Sequence, residues 1–330
     1  FILVEASTLF WALTLDGWYN MIFWWFICFS CYMGCRLFVV SPNGMKWVVV
    51  FATIGAAITY VMLGQKVMDD SGVTGRYAVE GQNSNFTAYV LSGTVFMSLV
   101  YITIAKTNYI YRVIAHVVNV FIFYAVFVLD TRGAMISIVL CYSIYLFKRT
   151  LTRSVTIALS AALIAASIFV SLGLLDAILS FFDSFSTRST GDLSGRMVIW
   201  ESANAFISDH PFMGIGLGAF LALNGVGSHN LLLTILLDSG LFGLVVFCLL
   251  IATFVRQVAS REHGETGARL LLMFVAYWAP IVFSGHWELS PFSWIVVGYT
   301  LNASNFNSGS IFVAAAQIAA TTAAIPPFMS

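Results

Sequence analysis

The chain has 330 residues, 60% of them hydrophobic and 9% charged, with mean hydropathy +0.91. A soluble domain carries about 25% charged residues, so the composition excludes one, and 15 Lys+Arg against 15 Asp+Glu leave no net charge with which to hold nucleic acid. Charges cluster between apolar runs of about twenty residues, the length that crosses a bilayer. The expected fold class is therefore all-α: a polytopic membrane protein of about ten transmembrane helices forming one domain over residues 1–330.

The chain opens at Phe1 without an initiator Met or a cleavable signal, which predicts that further N-terminal sequence precedes it. A weak span over 1–15 is followed by spans at 19–40 and 46–64, a polar segment at 65–82, and spans at 84–104, 112–130, 132–147 and 155–175. A long polar loop occupies 176–228, then come spans at 229–255 and 269–287 and weaker ones at 290–301 and 311–328. All five cysteines lie inside apolar runs, and Cys28, Cys31 and Cys35 share one helical face, where thiols pack as small hydrophobes. With the sides alternated, ten of the fifteen basic residues, from Arg36 to Arg269, fall on one set of connections, which the positive-inside rule makes cytoplasmic. Segments 65–82 and 176–228 then face outward. That side holds Lys66, Arg76, Arg132, Arg188 and Arg196 against the orientation signal, each either paired with an acid or free to grip phosphate through its planar fork.

In the long loop, residues 196–208 have a helical pattern ending before His210-Pro211. Ile199, Trp200, Ala203, Phe206 and Ile207 form an apolar stripe opposite Glu201, Asn204 and Ser208, the pattern of a helix lying along the membrane surface with its indole near the headgroups. Arg196 sits in the first turn, where the helix dipole disfavours a cation unless an anion is near; Asp192 is one such partner. The glycine run 214–218 resembles a nucleotide-binding fingerprint only superficially, lacking its strand and acidic residue. Ser228-His229-Asn230 then precedes an apolar run, which puts His229 at a helix N-terminus, where the neutral imidazole is favoured and suits either a general base or a structural cap. Asp238 lies within the span and either binds substrate or serves a structural partner. No His or Cys pair has metal-ligand spacing, so the expected site is metal-independent and no cofactor is implied.

Taken together, Ser194-Gly195-Arg196 with Trp200, His210-Pro211, Gly214-Ile215-Gly216, Ser228-His229-Asn230 and Asp238-Ser239-Gly240-Leu241-Phe242-Gly243 resemble the O-antigen ligase and polymerase superfamily, bacterial membrane glycosyltransferases of the GT-C class. Gly81-Gln82-Asn83-Ser84-Asn85 resembles the family's opening to a span, and Thr131-Arg132-Gly133-Ala134 its S/T-R-G-A turn. The region after Trp287 carries no such signature, and the loop is more compact than is usual in the family.

The resemblance implies a single transmembrane catalytic domain in a bacterial inner membrane, with its active site facing the periplasm through loop 176–228. It implies transfer of a glycan from undecaprenyl diphosphate to a hydroxyl acceptor, with lipid A core favoured and a polysaccharide polymerase as the alternative. His229 then takes the acceptor proton, and Arg196 and Arg132 hold the diphosphate, although Arg132 also has Asp130 within reach as an ion-pair partner. Arg76 assists donor or glycan binding, Trp200 bounds the lipid-facing mouth, and Asn230, His210 and Asp238 contact substrate. Direct attack on the anomeric carbon inverts its configuration, since Glu201 and Asp209 lack the partner a nucleophilic carboxylate needs. From a different class, a multi-pass transporter or lipid flippase would run a path past Asp130, Arg132 and Asp238, but the chain shows no internal repeat of the kind such proteins carry.

Overall fold

A computed structural model describes residues 1–63, 67–68, 77–78, 84–105, 107–129, 131–146, 196–260, 264–282 and 290–306. The expected spans 155–175 and 311–328, residues 176–195, most of 65–82, and Arg76, Asp130, Asp192, His263 and His286 lie outside the described residues. Of Arg132 and Arg196 the backbone alone is described.

The described chain is helical apart from a two-residue antiparallel ribbon, β1 (Val67–Met68) paired with β2 (Tyr77–Ala78). After a short α1 (Ile2–Ser7) come α2 (Leu15–Phe38), α3 (Pro42–Leu63), α4 (Ser84–Ile104), α5 (Tyr109–Val128) and α6 (Arg132–Leu146). Beyond the gap follow α7 (Arg196–Asp209), α8 (Ala219–Asn224), α9 (Leu231–Val258), α10 (Gly264–Val282) and α11 (Pro291–Phe306). Local chemistry sets several of these starts. Ser41 accepts the Gly44 N–H at 3.0 Å ahead of Pro42, and Asn108 accepts the Tyr111 N–H at 2.9 Å, so each satisfies a donor that the first turn leaves open. Helix α2 has Asp16 in its first turn and Arg36 in its last, complementing the dipole at both ends.

Among the described residues, α2, α3, α4, α5 and α9 are long and apolar enough to cross a bilayer. The chain is a membrane protein. Burial separates the roles of its spans: 83% of the apolar window of α4 is buried, against 17% in α3 and 22% in α5. Helix α4 is the central mast, whereas Phe51 and Val61 of α3 and Phe121 and Phe127 of α5 stand exposed, as apolar side chains do where the solvent is hydrocarbon.

Polar contacts give the register. Ser137 Oγ lies 3.0 Å from the Tyr277 carbonyl oxygen and Cys141 Sγ 3.4 Å from that of Met273, so α6 and α10 run antiparallel. Thr131 donates to Asn85 Oδ1 at 3.3 Å, which sets the start of α6 beside the start of α4. Helix α9 turns back directly into α10, with Phe254 and Phe274 rings 4.5 Å apart. Helices α4, α6 and α9 therefore all begin at the same end of the bundle.

At the opposite end of the bundle, α2 and α11 run parallel and are locked by one buried amide. Asn302 Nδ2 donates to the carbonyls of Cys35 and Val39 at 2.9 and 3.1 Å, closing the last turn of α2, while its Oδ1 accepts from the Arg36 guanidinium. Removing a buried partner costs the desolvation of everything left unpaired, about 1–3 kcal/mol per group. Asn302→Ala is accordingly expected to lower the detergent-solubilised melting temperature by several degrees, read by tryptophan fluorescence, whereas alanine at exposed Asn204 should not.

The span expected over 1–15 is not formed. Helix α1 ends at Ser7, Thr8–Phe10 make a 3-10 turn, and the chain then runs irregularly to Thr14. The hydropathy of this stretch was legible, but its polar groups are used elsewhere: the Leu13 N–H donates to the Ile215 carbonyl at 2.9 Å and the Trp11 indole to that of Met213 at 2.8 Å.

Candidate active site

The glycine-rich segment after α7 builds the frame of the site. Helix α9 is broken at Gly240, whose φ of 65° and ψ of −161° lie outside the range of residues with a side chain. In an unbroken helix the N–H groups of Leu241 and Phe242 would reach the carbonyls of Leu237 and Asp238. Here they donate to Pro211 and Phe212 at 2.9 and 3.2 Å, while the Leu237 and Asp238 carbonyls accept from Ile215 and Gly216 at 2.6 and 3.1 Å. Residues 211–216 are thus spliced into the helix, replacing two helical bonds by four. The other edge of the segment is tied by Leu13, by Trp11 and by Thr8, whose hydroxyl accepts the Leu217 N–H at 3.0 Å. Irregular backbone is tolerated at a membrane only when its polar groups are met in this way.

Asp238 belongs to the same splice. Its Oδ1 accepts the Gly218 N–H at 3.0 Å, so of the two roles open to it from sequence, a structural partner is found. The next residue, Ser239, donates to Glu5 Oε1 at 2.8 Å, which draws the carboxylate of α1 into the interior. Glu5 and Asp238 both reach a small cavity between α1, α2, α8 and α9 that is also lined by Trp25, Phe220, Ser228 and Thr234.

Helix α7 shows the expected stripe, with Ala203 buried and Ile199, Phe206 and Ile207 packed against Ile215, Phe220 and Leu237. Glu201, Asn204 and Ser208 are exposed. The expectation that this helix rests its apolar face on the membrane surface needs correction, because that face is occupied by protein. Trp200 turns inward accordingly: it is 8% exposed, and its Nε1 donates to the Ser228 carbonyl at 2.9 Å.

That bond leads to His229. The half-buried His229 has φ of 53°, the one non-glycine residue with positive φ among the described residues, a conformation that costs about 1–2 kcal/mol. Asn230, fully buried, starts α9 by accepting the Leu232 and Leu233 N–H groups on Oδ1 at 3.0 and 3.4 Å. Its Nδ2 is buried and has no hydrogen-bond partner among the described residues. His210 is exposed, and its backbone closes α7, taking the Gly214 N–H at 3.0 Å. Of the other histidines, His116 sits within α5 with Nδ1 3.2 Å from the Tyr142 hydroxyl.

Arg196 is the first residue of α7, which packs on the first half of α9, and Arg132 is the first residue of α6. The register above places the start of α6 at the same end as that of α9, and the Trp200–Ser228 bond places the start of α7 there too, so both backbones and the His229 turn stand at that end of the bundle. Sequence reasoning missed Glu5, an acid in an apolar stretch, and Thr234, a hydroxyl in a run of leucines; both were visible as polar exceptions to their surroundings. Among the described residues no three His, Cys, Asp or Glu side chains are grouped as a metal site requires.

Residues 117–248 match the family model described as O-antigen ligase. That match supports the resemblance to the O-antigen ligase and polymerase superfamily. The matched residues run from α5 into α9 and contain Arg132, Arg196, Trp200, His210, His229, Asn230, Asp238 and the whole splice; Arg76 falls outside them. No curated protein matches the chain.

Proposed function

We propose that the chain is a glycosyltransferase that moves a glycan from undecaprenyl diphosphate onto a hydroxyl of lipid A core, at the periplasmic face of a bacterial inner membrane. The observation that carries this reading is the His229 turn, held at the start of α9 inside the family-matched stretch and at the bundle end where α6 and α7 begin with Arg132 and Arg196. The charge pattern supports the orientation: with the loops bearing Arg36 and Arg256 cytoplasmic, the starts of α4, α6 and α9 face outward.

The reaction then proceeds by single displacement. The acceptor oxygen forms a bond to the anomeric carbon as the bond from that carbon to the diphosphate oxygen breaks. His229 takes the hydroxyl proton, and the guanidinium groups of Arg132 and Arg196 meet the charge growing on the departing undecaprenyl diphosphate. Arg76 assists the donor glycan, and Asn230 and the exposed His210 are the remaining polar residues of the motif assigned to substrate, with Asn230 Nδ2 buried beneath the His229 turn. No metal is assigned a role.

Protein in vesicles, given the lipid-linked glycan with lipid A core, is expected to form a glycan–core product of inverted anomeric configuration, read by NMR of the new linkage. Longer lipid-linked glycan made without any core identifies a polymerase instead. A retained configuration contradicts single displacement, and movement of the donor across the bilayer without bond cleavage supports the transporter reading.

A further inference from the structure

We infer that Trp200 and Thr234 are positioning residues for His229, acting through Ser228; the inference rests on the reading of His229 as the acceptor's base. The backbone angles at residue 229 are the relative orientation of its two flanking peptide planes, and both planes are pinned. The carbonyl of the first, at Ser228, accepts the Trp200 indole N–H at 2.9 Å. The N–H of the second, at Asn230, points to Ser228 Oγ at 3.4 Å. That hydroxyl is itself held 2.7 Å from Thr234 Oγ1, and both hydroxyls lie 3.0 Å from the Asn230 carbonyl oxygen.

A left-handed conformation in a residue with a β-carbon persists only where its surroundings over-determine it. Starting α9 does not require one. The Asn230 side chain caps the helix already, so an unstrained residue at 229 would close the turn equally well. The strain falls on the one residue whose ring must face an acceptor, and the pins are buried: Ser228 is 2% exposed and Trp200 8%. Trp200 also comes from α7, four residues after Arg196 and therefore on the same helical face. One indole bond thus sets the spacing between the helix that carries this cation and the turn that carries the imidazole.

The test uses the full chain in vesicles with Trp200→Phe, which removes the N–H and keeps a ring, Thr234→Val, which removes the hydroxyl and keeps the volume, and Thr234→Ser, which restores the hydroxyl. Steady-state transfer is measured together with the rate at which diethyl pyrocarbonate modifies His229, followed by mass spectrometry across pH. Misplacement of a reacting group by about 1 Å costs on the order of a hundredfold. Trp200→Phe and Thr234→Val are therefore expected to lower kcat by ten- to about a hundredfold with KM unchanged, and to alter the modification rate of His229. Thr234→Ser should retain both. Wild-type kcat, a change confined to KM, or an unaltered modification rate in the two variants overturns the inference. Thr234→Val decides alone if Trp200→Phe does not fold. Should His229→Ala retain transfer, the base reading fails, while the labelling still reports whether these side chains hold the imidazole.

Discussion

Alanine at His229 is expected to reduce glycan transfer by at least about a hundredfold, the lower range for loss of a positioned general base, with expression and melting temperature close to those of the parent chain. Alanine also has to adopt the φ of 53°, so its effect mixes chemistry with backbone strain. His229→Asn separates the two, because asparagine tolerates the left-handed region yet cannot take the proton. Both variants should be equally inactive, and appreciable transfer by the asparagine variant would remove the base assignment. Arg132→Ala and Arg196→Ala should each lose about 3 kcal/mol of transition-state stabilisation, again roughly a hundredfold. Lysine at either position should restore only part of that, since it offers a point charge where the diphosphate presents two or three oxygens to a planar fork. Initial rates at saturating donor distinguish these effects from weakened binding, and full activity in any one variant dismisses that residue.

Among the described residues, the long helices were legible where each is a continuous local signal. Those expected at 46–64, 84–104 and 132–147 correspond to Pro42–Leu63, Ser84–Ile104 and Arg132–Leu146, and the cap at Asn230 follows from an amide before an apolar run. The candidate site was legible only as motifs. That Gly214-Ile215-Gly216 and Asp238-Ser239-Gly240 are halves of one device was hidden, because the splice is made of backbone bonds, which every residue but proline can donate and which leave no side-chain pattern. The span expected over 1–15 failed for a related reason. Its hydropathy is real, but Thr8, Trp11 and Leu13 meet polar groups about 200 positions away, and no local window senses that distance. Trp200 was read by the rule that an indole on an amphipathic helix seeks the headgroups. The rule lost to a nearer acceptor, the Ser228 carbonyl, once α7 had covered its apolar face with α8 and α9.

If the splice holds the His229 turn in place, Gly240→Ala is expected to be the most damaging single-atom-group change outside the side chains proposed to react. A β-carbon at 240 would overlap the Phe212 carbonyl and the Met213 nitrogen, both backbone atoms that a rotamer change cannot move. Strain at φ 65° and ψ −161° adds about 1–3 kcal/mol, and the overlap about 1–3 kcal/mol more. The cheapest relief is to push residues 211–213 out of the break, which would leave the N–H groups of Leu241 and Phe242 unmet in a medium with no water to replace the loop. The Leu241–Val258 half of α9 would then lose its tie to the loop after α7, and the Leu231–Ser239 half, with His229 and Asn230 at its head, would lose its fixed place on it. Transfer should fall together with the melting temperature. Gly225→Ala is the control: its φ of 70° and ψ of −4° carry a smaller, ordinary left-handed penalty, and nothing lies within 4 Å of the added carbon. It should cost about 1 kcal/mol in stability and leave transfer intact. A Gly240→Ala protein with parental melting and parental transfer would show that the His229 turn does not depend on the splice.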